Sequence, residues 1–268
     1  MSVDITSGPS QDDFEDIHSR LTERASPRSM LLRLLRALAV GLFVLAVPAA
    51  LLTTTVRYVA NESRVYRYAF DQFGAVEATG IERPELIRAG AELRAFFNND
   101  ADTLTIRVES DGEEVNLFSQ RETAHLEDVK DRFRLVSRLN EFSVLYIVAF
   151  VVSAVVWSRE MSLRSLAVYV AAASLLTLVL IGAIGVLGAV GFDSAWENFH
   201  QLIFSNDFWL LNPRTDRLIQ MFPPDFWQSI VFFVGVMAAA EAALLLIVAA
   251  IYLGVSGRPS HRRRRLEV

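Results

Sequence analysis

Four apolar blocks, at roughly 35–58, 142–158, 165–191 and 229–254, constrain this chain more than anything else in it. Crossing ~30 Å of hydrocarbon takes about 20 residues of helix, and each block is of that order. Backbone groups inside a bilayer find no water, so such blocks fold as helices. The second block is short, but a helical pattern runs into it from upstream. Hydrophobic residues make up 52% of the chain, and they come in runs rather than in amphipathic periods. The chain therefore reads as a mainly α membrane protein: four transmembrane helices carrying a small, mostly helical extracytoplasmic part with one β-hairpin.

Arginine sets the orientation. Arg20, Arg24, Arg28, Arg33 and Arg36 precede or open the first span, Arg159 and Arg164 flank the turn between the second and third, and Arg258 and Arg262 to Arg265 follow the fourth. Positively charged short loops stay in the cytoplasm, which puts both termini there. The expected division is a mobile cytoplasmic arm (1–30), a first transmembrane helix (31–58), an extracytoplasmic segment (59–141), a second (142–158) and a third (165–191) transmembrane helix. An extracytoplasmic segment (192–228), a fourth transmembrane helix (229–254) and a basic cytoplasmic tail (255–268) complete it. The first block follows some thirty polar residues, so it reads as a signal anchor rather than a cleaved leader. With no cysteine, the chain can use neither a disulfide nor a thiol nucleophile. The Arg-rich tail suits anionic lipid headgroups, and no nucleic acid partner is expected.

In the first exterior segment, 63–76 and 84–98 are expected to be helical, the second with an apolar stripe of Leu86, Ala89, Leu93, Phe96 and Phe97. The alternation in TLTIRVESDGEEVNLF, turning at Asp111-Gly112, predicts a hairpin that must lie on neighbouring helices or on the membrane. Ser119 and Glu122 have capping-box spacing, so a helix should start at Gln120 and run unbroken through the second span. On it, Arg121, His125, Asp128 and Arg132 form a polar stripe, while Leu126, Val129, Phe133 and Val136 mark the packed side. A solvated face explains such a stripe in an isolated helix.

The stretch between the third and fourth spans shifts that reading. Ser194 and Glu197 start a short helix, 194–204, that carries His200 among aromatic residues suited to the headgroup level. Asn212-Pro213 breaks the chain, a short helix follows at 215–221, and Pro223-Pro224 reset its direction. His18 and His261 fall in the cytoplasmic tails, which leaves His125 and His200 as the exterior histidines. Two groups that titrate near neutrality, with Asp128, Asp207 and Asp216 in the same segments, suit acid–base chemistry.

RETAHLEDVK and ENFHQLIFSNDFWLLNPRTDRLIQMFPPDFW, set among four spans, resemble the bacterial lipoprotein intramolecular transacylase family and its integral-membrane relatives over roughly residues 35–255. The resemblance implies an acyltransferase of the bacterial cell membrane whose partners are diacylglyceryl-modified lipoproteins and membrane lipids. It would move the sn-2 acyl chain to the α-amine of the lipoprotein's amino-terminal Cys, giving the lyso form. The family's two histidines match His125 and His200, which would be the catalytic pair at the outer leaflet. The acidic amino-terminal arm and the Arg-rich tail depart from the family pattern.

O-to-N acyl transfer needs a base for the amine proton, donors for the carbonyl oxygen and an acid for the departing glyceryl oxygen. The histidines cover the proton steps. Arg121, Asn206 and Arg214 are candidates for oxyanion or headgroup contacts, and Asp128 or Asp216 for fixing a histidine tautomer. No cofactor is expected. Two other readings stay open: a metal-dependent hydrolase built on two His and two Asp, and a non-enzymatic sensing or docking protein. Gly182, Gly185, Gly188 and Gly191 predict close helix approach in the third span, and Glu241 a carboxyl bonded to a neighbouring span.

Overall fold

A computed structural model of the chain describes residues 27–110, 112–157 and 162–256. The arm through residue 26, Asp111 of the hairpin turn, Arg159 and the tail from 257 lie outside the described residues, as do His18 and His261. The chain divides into two compact units, one ending at Phe43 and the other starting at Val44. The described part of the first is the opening of a helix. The core and the site described below belong to the second.

Helix α1 (Pro27–Asn61) is followed by α2 (Ser63–Gln72), α3 (Ala75–Thr79) and α4 (Arg83–Phe97). Strands β1 (Arg107–Ser110) and β2 (Glu113–Asn116) make an antiparallel hairpin in which Val108 faces Val115. Then come α5 (Gln120–Val152), which ends in a π-helical turn (Ser153–Trp157), α6 (Leu163–Ile203), α7 (Arg217–Met221) and α8 (Pro224–Ser256). Four segments are long and apolar enough to cross a membrane: Met30–Asn61, Gln120–Val156, Leu163–Val186 and Pro224–Ser256. The fold class expected from the sequence holds.

The second of these segments has 37 residues, about 55 Å of helix at 1.5 Å per residue, well beyond hydrocarbon thickness. Charged residues recur along it from Arg121 to Glu141 and stop there. The uncharged part of the segment begins at Phe142, and the opening turns of α5 are its polar part.

Those turns pack on one hydrophobic core formed by α2, α3, α4, the hairpin, α7 and the head of α8. Phe70, Leu86, Leu93, Phe96, Ile106, Val108, Leu126, Met221 and Phe226 are among its buried members. The hairpin lies on α4: Glu109 N–H donates to Glu85 at 3.3 Å, and the Arg88 guanidinium donates to the Arg107 carbonyl. Helices α2 and α4 approach closely at Gly90, where an added Cβ would stand 3.0 Å from the Phe70 ring.

Two expectations need correction. A Cβ at Gly182, Gly185, Gly188 or Gly191 would meet nothing within 4 Å, so these glycines seat no neighbouring helix among the described residues. Gly191 is instead where α6 bends, leaving helical geometry at φ −173°, ψ 76°. The packed side of α5 is also more polar than its sequence pattern indicates, since Glu122, His125, Lys130 and Asn140 are buried there beside Leu126. Glu122, Lys130 and Asn140 find hydrogen-bond partners distant in sequence. Lys130 donates to the Asn99 side chain at 2.9 Å and the Ala101 carbonyl at 2.6 Å, with its ammonium 3.9 Å from the Phe96 ring centre. Asn140 joins Thr53, Thr54 and Arg57 of α1. Glu241 meets a neighbouring span as expected, accepting from the Thr55 hydroxyl at 3.4 Å.

Candidate active site

The capping box forms at the start of α5: the Ser119 hydroxyl accepts from Glu122 N–H at 3.3 Å, and Glu122 Oε2 accepts from Ser119 N–H at 2.7 Å. The other carboxylate oxygen reaches across the fold and accepts from Leu218 N–H, also at 2.7 Å. Leu218 lies in the first turn of α7, where a helix leaves its amides without internal partners. One buried carboxylate thus ties the start of α5 to α7, and His125 lies one turn further along α5.

Helix α6 reaches the same place after its bend. Its last turns carry Trp196, Phe199 and His200, and Phe204 follows them. The His125 and His200 ring centres are 6.1 Å apart, inclined by 37°. Phe204 packs on both, 5.1 Å from His125 and 5.7 Å from His200. Trp196 and Trp209 flank His200 at 4.6 and 5.0 Å, and Trp196 stacks in turn on Trp227 at the head of α8. The histidines are 8% and 7% exposed, so an aromatic box keeps most water from them.

The two rings differ in their polar contacts. His200 Nδ1 lies 2.8 Å from the Trp196 carbonyl oxygen, which can only accept. Neutral His200 therefore carries its proton on Nδ1, and Nε2 presents a lone pair. Among the described residues, the buried His125 Nδ1 has no hydrogen-bond partner, an arrangement that costs about 1–3 kcal/mol unless a bound molecule satisfies it. Burial, aided by the neighbouring His200 and opposed by the pull of Asp128, brings the His125 pKa down to about 4. Burial also lowers that of His200, opposed by the Trp196 carbonyl. Both are neutral at pH 7.

Of the other residues singled out in the sequence, Asp128, Asn206 and Arg121 meet at this site. Asn206 donates to Asp128 at 2.8 Å, and the Arg121 guanidinium donates to the Asp207 carbonyl. Contacts one turn before and after His125 thereby fasten the loop after α6 to α5. Asp216 accepts from Asn212 N–H at 2.7 Å and from the Thr215 hydroxyl at 3.0 Å, which shapes the 212–216 turn. Arg214 is exposed on that turn, with no side-chain hydrogen bond among the described residues. The Trp196 carbonyl holds the His200 tautomer, and neither carboxylate does so. Among the described residues, no three His, Cys, Asp or Glu side chains converge to hold a metal ion.

Sequence reasoning missed the second contact of Glu122 and the Trp196 carbonyl. The capping spacing marked Glu122, but nothing local points to Leu218, 96 residues away.

A family model described as lipoprotein intramolecular transacylase Lit matches residues 41–227. An uncharacterised protein from Aquifex aeolicus is 26% identical over 142 residues, which are 53% of this chain and 58% of that one. The match thus spans little more than half of that relative's length. The membrane-integral lipoprotein intramolecular transacylase Lit from Bacillus cereus superposes with a TM-score of 0.69 at 17% identity, over 82% of this chain and 96% of that one. A form of that enzyme with a histidine-to-alanine mutation gives a TM-score of 0.67 at 16% identity, over 85% and 97%. Identity at this level speaks for the fold alone.

Proposed function

The chain belongs to the lipoprotein intramolecular transacylase family, and from that premise we propose that it moves the sn-2 acyl chain of a diacylglyceryl lipoprotein onto the amino-terminal Cys amine. The observation that carries this reading is the pair of buried, neutral histidines, one with its basic nitrogen fixed by the tautomer and the other with a ring nitrogen, Nδ1, that has no partner among the described residues.

In this scheme the neutral amine attacks the ester carbonyl carbon. The developing ammonium gives its proton to His200 Nε2. His125 serves the carbonyl oxygen as negative charge builds on it, a role in which a neutral, desolvated donor is effective. The tetrahedral carbon then collapses, the carbon–oxygen bond to glycerol breaks, and His200 returns the proton to the departing glyceryl oxygen. A new amide and a free sn-2 hydroxyl result. No proton is left over, and the nucleophile comes from the substrate.

Since ester and amine belong to one molecule, the protein chiefly has to hold a bent conformer and exclude water. The aromatic box suits both tasks. Exposed Phe199, Phe208, Leu210 and Leu202 (83% exposed) surround the His200 segment and suit the outer-leaflet boundary, where the ester lies. Arginine distribution argues that this side is extracytoplasmic.

The test is turnover of a purified diacylglyceryl peptide by His125→Ala and His200→Ala, each checked for folding in detergent. Acid–base assistance is worth about 10²–10⁴-fold, and each variant should lose at least 100-fold. Wild-type turnover by both variants would end this reading. Loss of wild-type activity on chelation, restored by a divalent metal, would replace it with the metal-dependent one.

A further inference from the structure

Two hollows outside the histidine box meet at Ala124 and Glu127 of α5, which line both. One, of about 370 Å³, is bordered by Asp128 and Phe208, residues that belong to the rim of the site. The other, of about 400 Å³, lies between the opening turns of α5 and residues 103–106, which lead into β1. Together they form a path from the rim of the site, around α5, to the chain that leads into β1.

The far wall of this path has main-chain groups to offer. The segment before β1 is fastened at one end by Lys130, which holds the Ala101 carbonyl, and at the other by Leu117 N–H, which donates to the Ile106 carbonyl at 2.8 Å. Between these anchors, Thr103, Leu104 and Thr105 form no main-chain hydrogen bond among the described residues. A backbone anchored at both ends and unpaired between them is one to which a peptide can add by main-chain hydrogen bonds. Thr123 and Gln120 on the α5 side add side-chain donors and acceptors.

The hollow nearer the site is acidic. Asp102, Glu127, Asp128 and Asp131 line it together with Lys130 and Arg134. Lys130 is already bonded to Asn99 and Ala101, and Arg134 pairs with Asp131 at 3.4 Å.

Resting on the function proposed above, we infer that this path is the docking groove for the lipoprotein's own polypeptide, the residues that follow the acylated Cys. The substrate's reacting end lies in the histidine box, and its peptide has to leave by some route. This path reaches the rim of the site at Asp128 and Phe208, it carries unpaired main-chain groups, and its charge disfavours acidic residues. From Asp128 to Gln120, α5 rises about 12 Å, which about four residues of extended chain span. The first four or so residues after the Cys are therefore the ones read, with acidic residues selected against.

The experiment compares a diacylglyceryl Cys carrying one further residue with one carrying six neutral residues, on wild-type protein and on Thr105→Trp and Thr123→Trp, which fill the groove from opposite walls. The long peptide should show a KM about 10-fold lower than the short one on wild type. Each variant should remove that advantage, leaving kcat and the short peptide's KM unchanged. Placing Asp in the first three positions should raise the long peptide's KM. Binding of the same peptides with their amines acetylated, which cannot react, should show the same 10-fold difference. Equal affinity of wild type for long and short peptides, or variants that weaken both alike, would overturn the inference. Neither result bears on acyl transfer, which the short peptide reports separately.

Discussion

Replacing Glu122 should be the most damaging single change outside the histidine pair. Its side chain is 2% exposed and accepts from Ser119 and Leu218 N–H, both at 2.7 Å. Hydrogen bonds to a charged acceptor are worth about 1.5–3 kcal/mol each. Ser119 N–H lies at a partly buried helix start and regains a water on mutation, so its loss falls at or below the low end. Leu218 N–H is buried and would be left unsatisfied, at the high end. Glu122→Ala should therefore cost about 3–5 kcal/mol, on the order of 10 °C in Tm for a chain of this size. Glu122→Gln keeps an oxygen for Leu218 and turns its amide nitrogen toward Ser119, so about 1–2 kcal/mol should suffice. Thermal unfolding in detergent gives the Tm values, and hydrogen exchange at the Leu218 amide should rise steeply in the Ala variant. An Ala variant that melts within 2 °C of wild type, or a Gln variant as damaged as the Ala one, would refute this ranking.

Gly90→Ala should lower Tm: the new methyl stands 3.0 Å from the Phe70 ring and 3.3 Å from Tyr66 Cβ, and overpacking of about 1–3 kcal/mol outweighs the helix propensity gained. Gly182→Ala, with open space at its Cβ, should melt at or above wild type in the same assay. Acidification should destabilise the protein through His125. The unfolded chain takes up its proton near pH 6.5 and the folded one only near pH 4, so this contribution is complete above pH 6.5 and lost as pH falls to about 4. The loss totals about 3 kcal/mol, and His125→Phe should flatten the Tm-against-pH curve over that window.

Much of the frame was legible in the sequence because its causes are local. Long apolar blocks have no option but to span, and Ser119 with Glu122 spells the start of α5 within four residues. His125 and His200 stood out because aromatic, proline-bounded segments surround the second of them. What stayed hidden depends on pairs distant in sequence. Lys130 lies in a charged stretch beside Asp131, yet it is buried, donating hydrogen bonds to Asn99 and to the Ala101 carbonyl. The glycines of α6 carry a close-packing pattern, but among the described residues nothing lies within 4 Å of a Cβ at any of them. Asp128 looked like a partner for histidine, three residues away on one helix, and Asn206 on another segment holds it instead.

The central claim is that an acyl chain moves within one molecule from glyceryl oxygen to Cys nitrogen under the two histidines. It is tested most directly with a diacylglyceryl peptide isotopically labelled only in its sn-2 chain, mixed with an unlabelled, mass-distinct peptide. Mass spectrometry after reaction with wild-type protein should find the label on the amine of its own peptide, with none on the other. His125→Ala and His200→Ala should leave the starting peptide unchanged. Label released as free fatty acid, transferred to the second peptide, or moved at wild-type rate by either variant would contradict the claim.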